Sequence, residues 1–484
     1  MGVSAVFVII MALIRIKFIS VTIGVIGIGV MANLNALLSN LSTIFGMGIH
    51  QRVVRDIAID YSSNDHTFLA KKTYVLKLLS FFLGIAGILI SLFSSETISI
   101  LVFGDITQKF NIKIISIAIL FIVLNNSYTS IIQGARKIQY LAYANICGSL
   151  LGTLIALCCF ILIGIDGIAW ALMAIAITQT LTTGYFVNNL KIKSLSFKNI
   201  EKLKIAWGFL KDGSPLMLSN LIATSSSLLI IIIITRKLGL ESAGFYSAAF
   251  SLSVFFVNFV LASMSSDYYP RLSSANKNKD QMNRMVNEQT EVGLHLTLPG
   301  LMICLVLAPF LVKLFYSEEF LPASHLLHWF ILGCFGRVIS WPMGFIILAQ
   351  GKSKIFLFSE LTSSVLHLGL VWYAVNYLSL AGTSLAFFLT YFFYTILMLL
   401  ITNQLTKFKW DSKIIKLIAI SFIQFILLII IVLYFNNWVG IFLIVLLISF
   451  SLIKSIKEIM IVLGYENKTL KKILDFHIIK QLIK

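Results

Sequence analysis

Fourteen stretches of roughly twenty mostly apolar residues punctuate the chain, and they limit its fold more than any other feature. They run at about 3–20, 34–54, 74–93, 112–133, 140–164, 168–187, 214–235, 243–265, 290–312, 325–349, 355–378, 381–402, 415–434 and 437–453. A bilayer core of roughly 30 Å needs about 20 apolar residues per helical crossing. Composition agrees: 58% of the 484 residues are hydrophobic and 12% are charged, against about 25% charged in a soluble domain. The expected fold is therefore an all-α integral membrane protein of about fourteen transmembrane helices. The first run has no cleavage site after it and reads as a retained span.

The charges give an independent test of that count. Lysine and arginine accumulate in cytoplasmic loops. With the N-terminus placed inside, the inner loops and the tail hold thirty of the 38 basic residues. The outer loops and span edges hold five, and three lie within spans (Arg15, Lys17 and Arg337). Both termini are thus expected in the cytoplasm. The net charge of +18 follows from topology and attraction to an anionic inner leaflet, so nucleic acid is not an expected partner. Cys147, Cys158, Cys159, Cys304 and Cys334 all fall in apolar spans without metal-ligand spacing. They read as packing residues, and no metal or cofactor is expected.

The chain repeats itself. "QGARKI" (Gln133–Ile138) returns as "QGKSKI" (Gln350–Ile355), in each case between two apolar runs. "IDGIAWA" from Ile165 answers "LAGTSLA" from Leu380, and "GVIGIGVM" from Gly24 answers "GLESAGFY" from Gly239, both 215 positions on. In the second pair Gly29 matches Gly244. A duplication of about 200 residues, six spans per copy, follows. An even number of spans gives parallel repeats, predicting two six-helix lobes around a central cavity. The expected division is 1–205 for the first lobe (spans 1–6) and 206–405 for the second (spans 7–12). Residues 406–484 hold two extra C-terminal helices and a basic cytoplasmic tail. A glycine closing each hexapeptide hinge is expected to adopt the left-handed helix cap.

Four stretches carry a family resemblance. "IGVIGIGVMANLNALLSNLSTIFGMGIHQRVVRDIAID" (Ile23–Asp60) resembles the first signature of the Wzx-type polysaccharide flippases of the multidrug/oligosaccharidyl-lipid/polysaccharide exporter superfamily. Gly24, Gly27 and Gly29 stand where that pattern has a glycine-rich external turn. Gly46 and Gly48 stand at its helix break, with Arg52 and Arg55 at its basic positions. "KLGLESAGFYSAAFSL" from Lys237, with "SSDYYPRLS" from Ser265, resembles the second-lobe signature. "LFYSEEFLPASHLLHWF" from Leu314 resembles the external loop before span ten. The resemblance covers about residues 15–405, by order and spacing, and departs in its short first helix and its two last spans. It implies a flippase, not an enzyme, in a bacterial inner membrane. The implied cargo is an undecaprenyl-diphosphate-linked oligosaccharide, such as an O-antigen unit of lipopolysaccharide biosynthesis, moved from the cytoplasmic to the periplasmic leaflet by alternating access. Implied companions are membrane lipids, H⁺ or Na⁺ as coupling ion, and polysaccharide polymerase and chain-length partners.

A diphosphate crossing hydrocarbon needs cationic partners, which nominates the basic residues inside spans. Arg337, at the middle of span ten, is the first candidate; the alternative is a structural pair with Glu360. Arg15 and Lys17 either line the cavity or snorkel outward. Arg52 and Arg55 are candidates for the cytoplasmic mouth. Asn125 and Asn145 are sugar contacts or interhelical hydrogen-bonding groups. Arg52 with Asp56, and Asp267 with Arg271, are i, i+4 pairs nominated for the inner gate. Glu288, Glu291 and His295 share one helix face, which suits ion coupling. Two other functions compete. An ion-coupled small-molecule exporter of the same superfamily would favour acids in the cavity. A membrane-embedded polysaccharide polymerase would need a large exported loop, and the longest outer one, 94–111, is short. No nucleotide-binding glycine loop is present, so the energy source is a gradient or the membrane potential.

Overall fold

In hydrocarbon every backbone N–H and C=O must be satisfied within the chain, so long apolar runs become long helices. The computed structural model describes residues 2–62, 66–190, 192, 198–276, 278–434 and 438–463. The expected basic tail from 464 on, and Lys191, Lys193 and Lys277, lie outside the described residues. Among the described residues there are α-helices and short 3-10 turns and no strands. The helices are α1 (Gly2–Thr22), α2 (Gly24–Gly46), α3 (Ile49–Ser62), α4 (His66–Phe93), α5 (Ser95–Val102), α6 (Lys109–Gly134), α7 (Ile138–Ile163) and α8 (Gly167–Asn188). After them come α9 (Asn199–Ser274), α10 (Lys279–Val306), α11 (Ala308–Phe315), α12 (Ala323–Ala349), α13 (Ser353–Leu378), α14 (Ala381–Thr406), α15 (Ser412–Tyr434) and α16 (Trp438–Leu463).

Twelve segments are long and apolar enough to cross a membrane; one of them runs 51 residues (Ile138–Asn188) and another 67 (Asn199–Ser265). Large apolar side chains stand exposed along them, such as Ile90, Phe93, Leu162 and Phe442, as lipid contact requires. The chain divides into two units, Met1–Ser247 with Leu314–Glu319, and Ala248–Lys313 with Phe320–Lys484. The division falls inside α9.

Several local expectations change. The glycine-rich stretch expected as an external turn is the first part of α2, where small residues let another helix approach closely. Of these glycines only Gly24 (φ 80°) turns the chain, between α1 and α2, whereas the break expected at Gly46–Gly48 is present, with Met47 (φ 48°) and Gly48 (φ 62°) left-handed and α3 following as a separate helix. Between the seventh and eighth apolar runs, where a loop was expected, α9 continues except at Gly239 (φ 88°, ψ 170°). The segment 94–111, expected as an outer loop, contains α5, tied by Lys109 to Glu96 at 2.6 Å.

The duplication is written in the backbone. Left-handed residues occur at Gly24 and Gly239, at Arg136 and Gly351, and at Gly164 and Ser379, each pair 215 positions apart. Hydrogen bonds keep the same register. Lys137 N donates to Ile132 O as Lys352 N does to Ile347 O. Thr180 Oγ1 donates to Phe121 O as Thr395 Oγ1 does to Gly336 O. One apolar cluster is also built twice: Val53, Ile57, Ile131 and Ile132 in the first copy, Tyr268, Leu272, Ile346 and Ile347 in the second. The glycine-cap expectation holds only for the second hinge. In the first, Gly134 is still helical and presses on Ile57, and Arg136 takes the left-handed position with φ 57°.

Candidate functional site

Each helical unit holds a cavity with an arginine candidate in its wall. In the first unit a cavity of about 280 Å³ is lined by Arg15, Asn35, Met31, Phe160 and neighbours on α8. The Arg15 guanidinium, half-buried, donates to Thr153 Oγ1 at 2.6 Å, so it points inward to α7. Lys17 is two residues further along α1, a spacing that puts side chains on different faces. Its ammonium donates to the Tyr316 carbonyl, beside an apolar groove lined by Ile10, Leu13, Ile14 and Phe18. The two basic residues of the first span are thus separated.

In the second unit a cavity of about 240 Å³ holds Arg337, Glu360, Ser340, Trp341, Tyr391 and Tyr394. The Glu360 carboxylate accepts from Tyr394 Oη at 2.6 Å. Among the described residues Arg337 forms no ion pair with it, although both line one cavity. The aromatic wall is ordered by packing: Trp341 and Phe345 meet edge-to-face at 4.7 Å between centroids. Tyr268 donates to the Pro342 carbonyl at 3.0 Å, satisfying an oxygen next to the helix-interior proline. A half-buried guanidinium beside a carboxylate and several rings can bind an anion on one side and a sugar ring on the other.

The repeat puts these polar groups in context. Glu360 and Tyr394 stand 215 positions from Asn145 and Gln179, and that earlier pair is also hydrogen-bonded, Gln179 Nε2 to Asn145 Oδ1 at 2.8 Å. The first copy thus repeats the bond with amides and without charge; Arg337 corresponds to Ile122. Asn125 accepts from Thr183 Oγ1 at 2.8 Å. Both asparagines nominated as sugar contacts are therefore engaged in joining helices within the first unit.

Arg52 bridges two carboxylates, Asp56 at 2.7 Å and Asp212 at 3.0 Å. The hydrogen bond to Asp212, then the charge of Asp56, holds its guanidinium above the ordinary arginine value. Arg55 is exposed. Asp267 and Arg271 pair at 3.1 Å and are well exposed. These four gate candidates obey the same offset with charge reversed: Arg52 matches Asp267 and Asp56 matches Arg271.

Asp212 belongs to a seam between α2–α3 and α9 that residue spacing did not reveal. Gly48 and Gly213 touch backbone to backbone. Asn40 Nδ2 donates to Ser225 Oγ at 2.8 Å and Asn33 Nδ2 to Thr235 Oγ1 at 2.8 Å. Gly29 meets Leu240 and Gly244. As α2 runs back toward its start, α9 runs forward, so the two are antiparallel. The seam accounts for two polar residues on the otherwise apolar α2, Asn33 and Asn40.

The third cluster joins the last two helices to α10. Lys413 lies 2.5 Å from Glu291 Oε1 and 3.0 Å from Glu458 Oε2, and His295 Nδ1 is 3.3 Å from Ser455 Oγ. Ligand atoms of Glu291, His295 and Glu458 lie within 4.8 Å of one another, and the Lys413 ammonium supplies a cation of the protein's own to both carboxylates. Glu288, nominated with them, is exposed. Sequence spacing identified Glu291 and His295 as one face but gave no sign of Lys413 or Glu458, which come from distant helices.

The fold has known counterparts. The chain is similar to the lipid III flippase of Escherichia coli (strain K12), 23% identical over 385 residues, covering 78% of this chain and 90% of that protein. The lipid III flippase of Shigella flexneri gives the same figures. Among solved structures it is similar to lipid II flippase MurJ in an inward closed conformation, with TM-score 0.73, 17% identity, and coverage of 93% and 97%. An inward-facing multidrug resistance MATE family transporter of the MOP superfamily has TM-score 0.69 and 16% identity, covering 82% of this chain and 94% of that one. At such identities the structural likeness speaks for the fold alone. These relatives are flippases and transporters, not enzymes. The sequence also matches, over residues 27–325 and so over more than half of its length, the family described as polysaccharide biosynthesis protein, and the chain belongs to that family.

Proposed function

We propose that the protein is a flippase that carries an undecaprenyl-diphosphate-linked oligosaccharide, an O-antigen-type unit, from the cytoplasmic to the periplasmic leaflet by alternating access. The observation that carries this reading is Arg337: a half-buried guanidinium in a cavity at the middle of an apolar helix, without a carboxylate ion pair among the described residues. An intramembrane cation is costly, and a diphosphate is the anion that would compensate it. Tyr391, Tyr394 and Trp341 offer ring faces to sugar, and Glu360 a hydrogen-bond acceptor for hydroxyls. Arg15 and Asn35 supply a second polar cavity in the first unit. The curated relatives that are called lipid III flippases support a lipid-linked cargo.

In this reading the 51- and 67-residue segments each cross twice, giving fourteen spans. A continuous 51-residue helix would be about 75 Å long, more than twice a bilayer core. The breaks at Gly164–Asp166 and Gly239 support the folding back. The membrane is the bacterial inner membrane with both termini cytoplasmic, Arg52, Asp56, Asp267 and Arg271 act at the inner gate, and the Glu291–His295 cluster serves ion coupling.

Binding distinguishes this from an ion-coupled exporter of small molecules. Purified protein should retain an undecaprenyl-diphosphate-linked oligosaccharide in preference to undecaprenol-linked glycan lacking phosphate, with the preference lost in Arg337→Ala. Equal retention of both lipids, together with saturable binding of organic cations, would favour the exporter.

A further inference from the structure

A third cavity, of about 180 Å³, lies in the first unit among α4, α6 and α8. Thr73, Tyr74 and Lys77 line it from α4, Asn188 lines it from α8, and Ile131 and Val187 form its apolar floor. Among the described residues no carboxylate lines it. Lysines nearby on α4 are neutralised: Lys71 by Glu201 at 2.7 Å and Lys72 by Asp60 at 2.7 Å. Lys77 differs. It is half-buried, and among the described residues its ammonium meets only the face of Tyr128, 5.6 Å from the ring centroid. A second ammonium, that of Lys202, stands 5.3 Å from the Tyr74 ring and adds positive potential near the same cavity.

The duplication provides an internal control. The position 215 residues after Lys77 is Val292, so helix packing at this place does not require a cation. A half-buried ammonium among apolar helices carries a desolvation cost, which an anion with several acceptor oxygens would offset. Lys77 and Asn188 both line this space, which is large enough for one tetrahedral oxyanion, and so bring an ammonium and a carboxamide to one cavity. In a lysine-rich end of a membrane protein the abundant oxyanion of that shape is phosphate.

We propose that this cavity is a phosphate site, with Lys77 as its cation, and that it takes the phosphodiester of an anionic membrane lipid. The proposal does not depend on the transport reading, because none of its residues belongs to the Arg337 or Arg15 cavities.

The test uses the full-length protein in detergent, as wild type, Lys77→Gln, Lys77→Arg and Lys71→Gln. Native mass spectrometry measures retention of phosphatidylglycerol, and thermal unfolding measures stabilisation by inorganic phosphate against chloride at equal ionic strength. Lys77→Gln should weaken phosphatidylglycerol retention about tenfold or more. Lys77→Arg should restore it, and Lys71→Gln should leave it unchanged. Stabilisation by inorganic phosphate that depends on Lys77, without lipid retention that does, keeps the phosphate site and assigns it to a soluble anion. Binding of both probes that is the same in wild type and Lys77→Gln overturns the proposal, as does an equal loss in Lys71→Gln. Should Lys77→Gln fail to fold, Asn188→Ala serves in its place under the same criteria.

Discussion

Gly29 on α2 and Gly244 on α9 occupy equivalent positions of the two repeats, and they pack against each other. A Cβ at Gly29 would collide with the Leu240 carbonyl oxygen and come within 3.2 Å of Gly244 N. A Cβ at Gly244 would collide with the Val25 carbonyl oxygen. Close backbone approach of this kind depends on small residues where no water-driven force holds helices together. Gly29→Ala and Gly244→Ala should each destabilise the protein by about 1–3 kcal/mol, the usual cost of overpacking. Thermal unfolding of the purified variants measures this. A change in Gly46→Ala as large as in Gly29→Ala would argue against the specific contact, because a Cβ at Gly46, on the same helix, would meet nothing within 4 Å.

The bridge from Arg52 to Asp212 predicts a small coupling. The two side chains are 30% and 47% exposed, so solvent screens the pair, and a double-mutant cycle of Arg52→Gln with Asp212→Asn should return at most about 1 kcal/mol. Raising the salt concentration should shrink it. A coupling of several kcal/mol that ignores salt would mean that the bridge is more buried than it stands here.

Lys413 is expected to hold α15 and α16 to α10. Replacing it by Met leaves the carboxylates of Glu291 and Glu458 without their shared cation, at a cost of about 1–3 kcal/mol. Adding Glu291→Gln and Glu458→Gln should recover much of that loss, as urea or thermal unfolding would report. No recovery would place the role of Lys413 in its aliphatic packing.

The imidazole of His50, at the start of α3, is pushed below its ordinary value by burial. A depressed folded-state value means that the neutral ring is favoured. The contribution is present above the unfolded-state value of about 6.5 and is lost as pH falls through the folded-state value. Wild type should therefore lose more thermal stability between about pH 6.5 and 5 than His50→Asn does. Parallel losses would remove His50 from the acid response.

Much of this architecture was legible from the residues. Apolar runs located the helices, and Gly29 with Gly244 disclosed the offset of 215. The hexapeptides did not: their spelling aligns at 217, whereas the turn hydrogen bonds pair Lys137 with Lys352. A hinge needs one left-handed residue, glycine most easily, yet Arg136 takes that place in the first copy, so similar letters sit out of structural register. Asp212 and Glu458 were not visible as partners because Arg52 and Lys413 are 160 and 45 positions away. No periodicity reports a contact made by tertiary folding. The asparagines show the same limit: Asn33 and Asn40 bond to α9 while Asn35 lines a cavity, and nothing in their spelling tells them apart.

Transport of a lipid-linked glycan past Arg337 can be followed in a reconstituted membrane. The most direct measurement is transbilayer movement of a fluorescent undecaprenyl-diphosphate-linked oligosaccharide in liposomes containing the purified protein, for wild type, Arg337→Ala and Arg337→Lys. Movement in wild type, a fall of about tenfold or more in Arg337→Ala and partial recovery in Arg337→Lys, with folding intact in all three, is the predicted result. Absence of movement for any lipid-linked glycan, under proton gradient, sodium gradient and membrane potential alike, would contradict it.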